Sequence, residues 1–87
     1  MTVRIELFGI PRRRAGVAAF DVAAGDLGSA LREAGERFPA FARECLDGGR
    51  LRPGYLAAID GRNFATDPAT PLADGDSVQI LSADMGG

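Results

Sequence analysis

The residue types of this chain leave few routes to chemistry. With no His and no Lys, it lacks the common general bases, the Schiff-base nucleophile and the lysine of a phosphate-binding loop. Histidine-based zinc sites and a Cys-His dyad are excluded with them, and Cys45, the single cysteine, cannot close an internal disulfide. Asp and Glu remain, spread along the chain with no pair framed by apolar residues that would push their pKa values apart. Asp74 and Asp76 flank Gly75 and read as turn residues, so no metal ligands are assigned. No intrinsic catalytic residue is expected. One reactive group is common to every chain, the terminal carboxyl, which here stands on Gly87 after Gly86.

An ionised carboxylate, with a pKa of about 3.5, is a poor electrophile, whereas its mixed anhydride with AMP is a good one. A partner that spends ATP on this step must draw the chain end into a narrow channel. Two residues without Cβ atoms let the backbone approach a nucleotide closely and take any φ value. The stretch Ser82-Ala83-Asp84-Met85-Gly86-Gly87 has only Met85 to pin it, and it reads as a flexible tail reaching on the order of 20 Å when extended. Residues 1–81 then form the domain that holds this tip.

That domain must be small and single. The chain has 87 residues, 46% of them apolar and 25% charged, which allows one modest core and no self-contained deep site. From Val3 to Phe8 the residues alternate, Val3, Ile5 and Leu7 against Arg4 and Glu6, as in a half-buried strand. Gly9, Pro11 and Gly16 punctuate the stretch around Arg12, Arg13 and Arg14, which reads as a long basic loop of a hairpin whose second strand covers Val17 to Val22. Asp26 is placed to cap a helix, and Leu27, Ala30, Leu31, Ala34 and Phe38 give it one apolar stripe, opposite Arg32, Glu33, Glu36 and Arg37. Pro39 stops it. Ala40 to Leu46 could add a helical turn or two before a loop from Asp47 to Gly54. Tyr55 to Ile59 reads as a buried strand ended by Asp60-Gly61, a loop runs from Thr66 to Pro71, and Ser77 to Leu81 form the last strand with Val78 and Ile80 facing the core. Strands, one main helix and more strands in so short a chain predict an α+β mixed sheet packed on that helix.

The opening VRIELFG, the segment DLGSALREAGERFP, the run LADGDSVQIL and the final GG, in that order, resemble the MoaD/ThiS family of ubiquitin-like sulfur carrier proteins over essentially the whole chain. The resemblance implies a β-grasp fold and a cycle in which an E1-like enzyme, using ATP, adenylates the C-terminal glycine, here Gly87 beside Gly86. A thiocarboxylate then forms there and delivers sulfur to a biosynthetic enzyme, for example a molybdopterin synthase large subunit. No cofactor bound by the chain itself is implied. Molybdopterin biosynthesis is the first pathway to consider. The alternatives are sulfur delivery for cysteine, thiamine or tRNA thiolation, or conjugation to other proteins through Gly87 as a modifier. Many members carry a proline-containing segment before the glycines, where this chain has Ser82-Ala83-Asp84-Met85.

Further expectations concern partners. Strand parity puts Phe8 and Leu81 on the face away from the helix and Met85 on the tail, so these three are assigned to partner binding. Arg12, Arg13 and Arg14 are read as a solvated loop that could also steer an acidic partner surface or lie near the nucleotide of the activating enzyme. Cys45 is read as a small buried hydrophobe, with a redox role as the other possibility. A formal net charge of -2 gives no basic excess for nucleic acid. No apolar run of about 20 residues is present for a membrane span, and the default compartment for a lone cysteine without a secretory start is the reducing cytoplasm.

Overall fold

The computed structural model describes residues 1–83, and its elements run β1 (Val3–Leu7), α1 (Ile10–Ala15), β2 (Ala19–Val22), α2 (Leu27–Arg37), α3 (Pro39–Cys45), β3 (Leu46–Asp47), β4 (Arg50–Leu51), β5 (Tyr55–Ile59), β6 (Asn63–Ala65) and β7 (Ser77–Ser82). The alternation at the start of the chain is the inner and outer face of β1: Val3, Ile5 and Leu7 are buried and Arg4 is exposed. β2 runs antiparallel to β1, pairing Ile5 with Phe20, and β7 runs parallel on its other side, pairing Ile5 with Val78 and Leu7 with Ile80. β5 and β6 complete a five-stranded mixed sheet in the order β2-β1-β7-β5-β6. β3 and β4 pair with each other as a separate small ribbon.

The core lies between the inner face of this sheet and the helices. Leu27, Ala30, Leu31 and Ala34 of α2 join Val3, Ile5, Leu7, Val22, Val78 and Ile80 in one cluster, together with Phe41, Cys45 and Leu72. α2 begins where expected, because the Asp26 carboxylate accepts the Ser29 N–H at 2.7 Å. That backbone hydrogen bond favours the charged form and holds the Asp26 carboxyl below its ordinary value.

The elements depart from expectation at five places, and the first two have local causes. The basic stretch is helical: Pro11 sits in the first turn of α1, where a missing N–H is harmless, and Gly16 closes the helix at φ 81, donating its N–H to the Arg12 carbonyl. Phe38 lies at the corner between α2 and α3 with φ -131 and ψ 81, since a residue before proline is driven out of the helical region. Its ring packs 4.7 Å from that of Phe20, under the Arg37 guanidinium. The stretch after Leu46 turns back as β3 and β4 instead of remaining a loop, and Asp60-Gly61 leads into β6 as a further strand. The last strand continues through Ser82.

Candidate functional site at the exit of the C-terminal segment

The chain leaves the folded body beside the loop between β4 and β5. Ser82 faces the core at 7% exposure and pairs with Tyr55, and the Ala83 N–H donates to the Gly54 carbonyl at 2.7 Å. Ala83 itself is exposed. Met85, Gly86 and Gly87 lie outside the described residues.

On the outer face, the parity of the strands brings three apolar side chains into one row next to this exit. Leu81 pairs with Leu56 on β5. One step past the Leu7–Ile80 pair of the parallel register, Phe8 stands beside Leu81, its N–H bonded to the Ile80 carbonyl at 3.0 Å. Phe8 is 43% exposed, and Leu56 and Leu81 are half-buried without belonging to the core cluster. Phe8 and Leu81 are thus adjacent, as a shared docking role requires. Leu56 was missed because the run Tyr55 to Ile59 is apolar on both faces and reads as wholly buried. Phe64, at 68% exposure, is a second apolar side chain on the outer face, opposite Ala58 in β5, and it was missed together with its strand.

A polar row bounds the apolar one. Gln79 donates to the Glu6 carboxylate at 2.7 Å and to the Ser77 hydroxyl at 2.9 Å, and its carbonyl accepts the Gly61 N–H. Towards the start of β7, the carboxylates of Asp74 and Asp76 accept the N–H groups of Thr2 and Ala73, and that of Asp60 accepts the Ser77 N–H. These acids serve turn geometry. Among the described residues no cluster of three potential ligands could hold a metal ion.

Behind the exit a short polar chain ties three elements together. The Tyr55 hydroxyl donates to Glu44 of α3 at 2.8 Å, and Glu44 also pairs with Arg14 of α1 at 3.5 Å. Desolvation, helped by the bond to Glu44, pushes the Tyr55 phenol up to about 12. Neighbouring Cys45 is wholly buried, and burial raises its thiol to about 11, so it is a core thiol with little thiolate at neutral pH. On the helix side of the sheet lies a cleft of about 280 Å³ between α2, β4 and β5, lined by Leu27, Leu31, Leu51 and Tyr55 with Arg50 and Arg52, and it contains no carboxylate.

The fold recurs in several solved structures. SAMP1 from Haloferax volcanii superposes with a TM-score of 0.83 at 23% identity, over 100% of both chains. CysO from Mycobacterium tuberculosis gives 0.78 at 23% identity, covering 93% of this chain and 98% of its own. The fold is the ubiquitin-like β-grasp. A complex of subunits 1 and 2 of the molybdopterin-converting factor from Helicobacter pylori contributes a third neighbour, with a TM-score of 0.62 at 24% identity over 94% of this chain and 93% of the other. No family model and no curated protein sequence matches the chain. The β-grasp fold implied by the sequence resemblance is therefore present, with α2 as its main helix and two short helices, α1 and α3, added at the tail-bearing end. Among the described residues no helix is long and apolar enough to cross a membrane.

Proposed function

We propose that this chain is a sulfur carrier whose Gly87 carboxyl is activated by an E1-like enzyme and converted to a thiocarboxylate, with molybdopterin biosynthesis the first pathway to test. The observation that carries the reading is the exit geometry: β7 ends at Ser82, and the next residue, Ala83, is exposed four residues before Gly87, beside the apolar row of Phe8, Leu56 and Leu81. In the first step a Gly87 carboxylate oxygen attacks the α-phosphorus of ATP and pyrophosphate leaves. In the second, hydrosulfide supplied by a sulfur donor adds to the acyl carbon and AMP leaves, giving the thiocarboxylate. Its sulfur then attacks the substrate of an accepting enzyme, and water cleaves the resulting acyl–sulfur bond, which leaves the sulfur on the acceptor and regenerates the carboxylate. The chain supplies the reacting end, a slim Gly86-Gly87 tip and a docking face made by Phe8, Leu81 and Met85. It binds no cofactor of its own, because ATP belongs to the partner.

A second reading is favoured by the likeness to a small archaeal modifier protein: Gly87 ends in an isopeptide bond to a lysine of a target. Both readings share the activation step and differ in the acceptor. Incubation with the E1-like partner, ATP and a sulfur donor, followed by intact-mass analysis, is expected to show one oxygen replaced by sulfur. An unchanged mass, with slower-migrating conjugates on immunoblots of the native cell, would replace the first reading by the second.

A further inference from the structure

The end of the molecule that bears the tail is cationic in a way the fold does not use. α1 leaves β1 at the same end of the sheet where β7 finishes, and it packs against β7 and α3. Arg12, Arg13 and Arg14 are all exposed on it. Arg14 is engaged by Glu44, whereas the guanidinium groups of Arg12 and Arg13 form no ion pair or side-chain hydrogen bond among the described residues. On the other side of the exit, exposed Arg52 lies in the loop whose Gly54 carbonyl holds Ala83, and its guanidinium is equally without a partner among the described residues. Four of the twelve acids lie at the opposite end, where Asp26 follows β2, Asp60 follows β5, and Asp74 and Asp76 precede β7, with Arg62 the cation beside them; at the exit end Glu44 is taken up by Arg14 and Tyr55, and Asp84 follows Ala83 in the sequence, against Arg12, Arg13, Arg14 and Arg52. A chain of net charge -2 therefore presents a positive pole around the root of its tail.

We infer that this pole docks against a carboxylate-rich rim at the mouth of the channel into which a protein partner draws the tail, with Arg12 and Arg13 as the main contacts and Arg52 on the far side of the exit. The inference rests on the activation reading above and names the partner surface that reading needs. Reach decides between the rim and the nucleotide. The four residues after Ala83 span at most about 14 Å, so a Gly87 carboxyl extended to a nucleotide lies on the order of 14 Å beyond the exit, while the arginines stay at the entrance. Unpaired guanidinium groups at the same end of the molecule as an apolar row have the makeup of a docking patch: the row supplies buried area, and the charges steer encounter and fix orientation. Arginine also suits the place chemically, because a guanidinium stays protonated and does not attack an activated acyl group as a lysine amine would.

Two measurements test this. Amide chemical-shift mapping with poly-L-glutamate at low salt needs no activating enzyme. It is expected to perturb Arg12, Arg13, Arg14, Arg52 and Gly54 and to lose the effect in R12E/R13E; scattered shifts, or shifts centred elsewhere, would overturn the cationic docking site. Stopped-flow association with the E1-like enzyme is expected to slow at least about tenfold for R12E/R13E at low ionic strength, with a gap that closes as salt screens the pair. Equal rates and equal salt dependence for the two proteins would refute the acidic rim. A wild-type chain whose Gly87 is never activated would refute the activation reading instead, while the glutamate mapping would still decide whether the pole binds carboxylates. Unchanged circular dichroism and thermal midpoint in R12E/R13E separate either result from misfolding.

Discussion

Truncating Phe8 to alanine separates docking from folding if its effect is compared with that of a core truncation on the other face of the sheet. Phe8 is 43% exposed in the free chain. A phenylalanine presents about 200 Å², so about 90 Å² of this residue remains for a partner to cover. At about 25 cal/mol per Å² that area is worth about 2 kcal/mol, or about 30-fold in Kd if docking covers it fully. The part of the ring already covered costs the fold a comparable amount, so a weaker complex alone would not distinguish the two effects. Leu31→Ala supplies the comparison: Leu31 is 1% exposed in the core beneath α2, and its truncation should cost about 2 to 5 kcal/mol of stability without touching the outer face. Calorimetric titration against the E1-like enzyme, at a temperature where circular dichroism shows both variants folded, should give a Kd raised about 30-fold for Phe8→Ala and unchanged for Leu31→Ala. Equal affinity for Phe8→Ala and wild type would remove the outer face from docking. Equal weakening of both variants would mean that affinity follows stability.

Gly28→Ala should destabilise the chain although alanine is the better helix former. A Cβ at this position would stand 2.9 Å from the Pro68 Cβ and 3.2 Å from its carbonyl oxygen, and the overpacking, about 1 to 3 kcal/mol, exceeds a propensity gain of at most about 1 kcal/mol; denaturant unfolding would show the sign. Alkali should weaken the fold in a defined window. Cys45 at about 11 and Tyr55 at about 12 both hold their protons more tightly folded than at their ordinary values of 9.0 and 10.0, so their contribution is complete below about pH 9 and is lost as the pH rises towards 12. Cys45→Ala should remove the lower part of that loss and Tyr55→Phe the upper part, as read from urea midpoints across the range.

Much of the scaffold was legible because it obeys simple periodicities. Strict alternation marked β1, and the Asp26 cap with a stripe from Leu27 to Ala34 marked α2. The turn Asp74-Gly75-Asp76 marked the start of β7. Short elements escaped, since two or three residues carry no period: β3, β4 and β6 are fixed by their partners across the ribbon or sheet and not by their own sequence. α1 was missed for another reason. Its Pro11 and Gly16 are start and stop signals of a helix, and over six residues they look the same as the punctuation of a loop. At the site, parity alone placed Phe8 and Leu81 together. The third member of their row, Leu56, depends on how β5 pairs with β7, which no local pattern announces. Likewise the basic triplet was visible in the sequence, but its position around the tail exit follows from β1 and β7 running parallel and ending at the same edge.

The central claim is that the Gly87 carboxyl is the reacting group. ATP–pyrophosphate exchange by the E1-like enzyme measures its adenylation directly, before any sulfur or acceptor is involved. Exchange should depend on adding this chain and should vanish when Gly86 and Gly87 are deleted, with the folded body unchanged by circular dichroism. Exchange that proceeds equally well with the shortened chain would contradict the account.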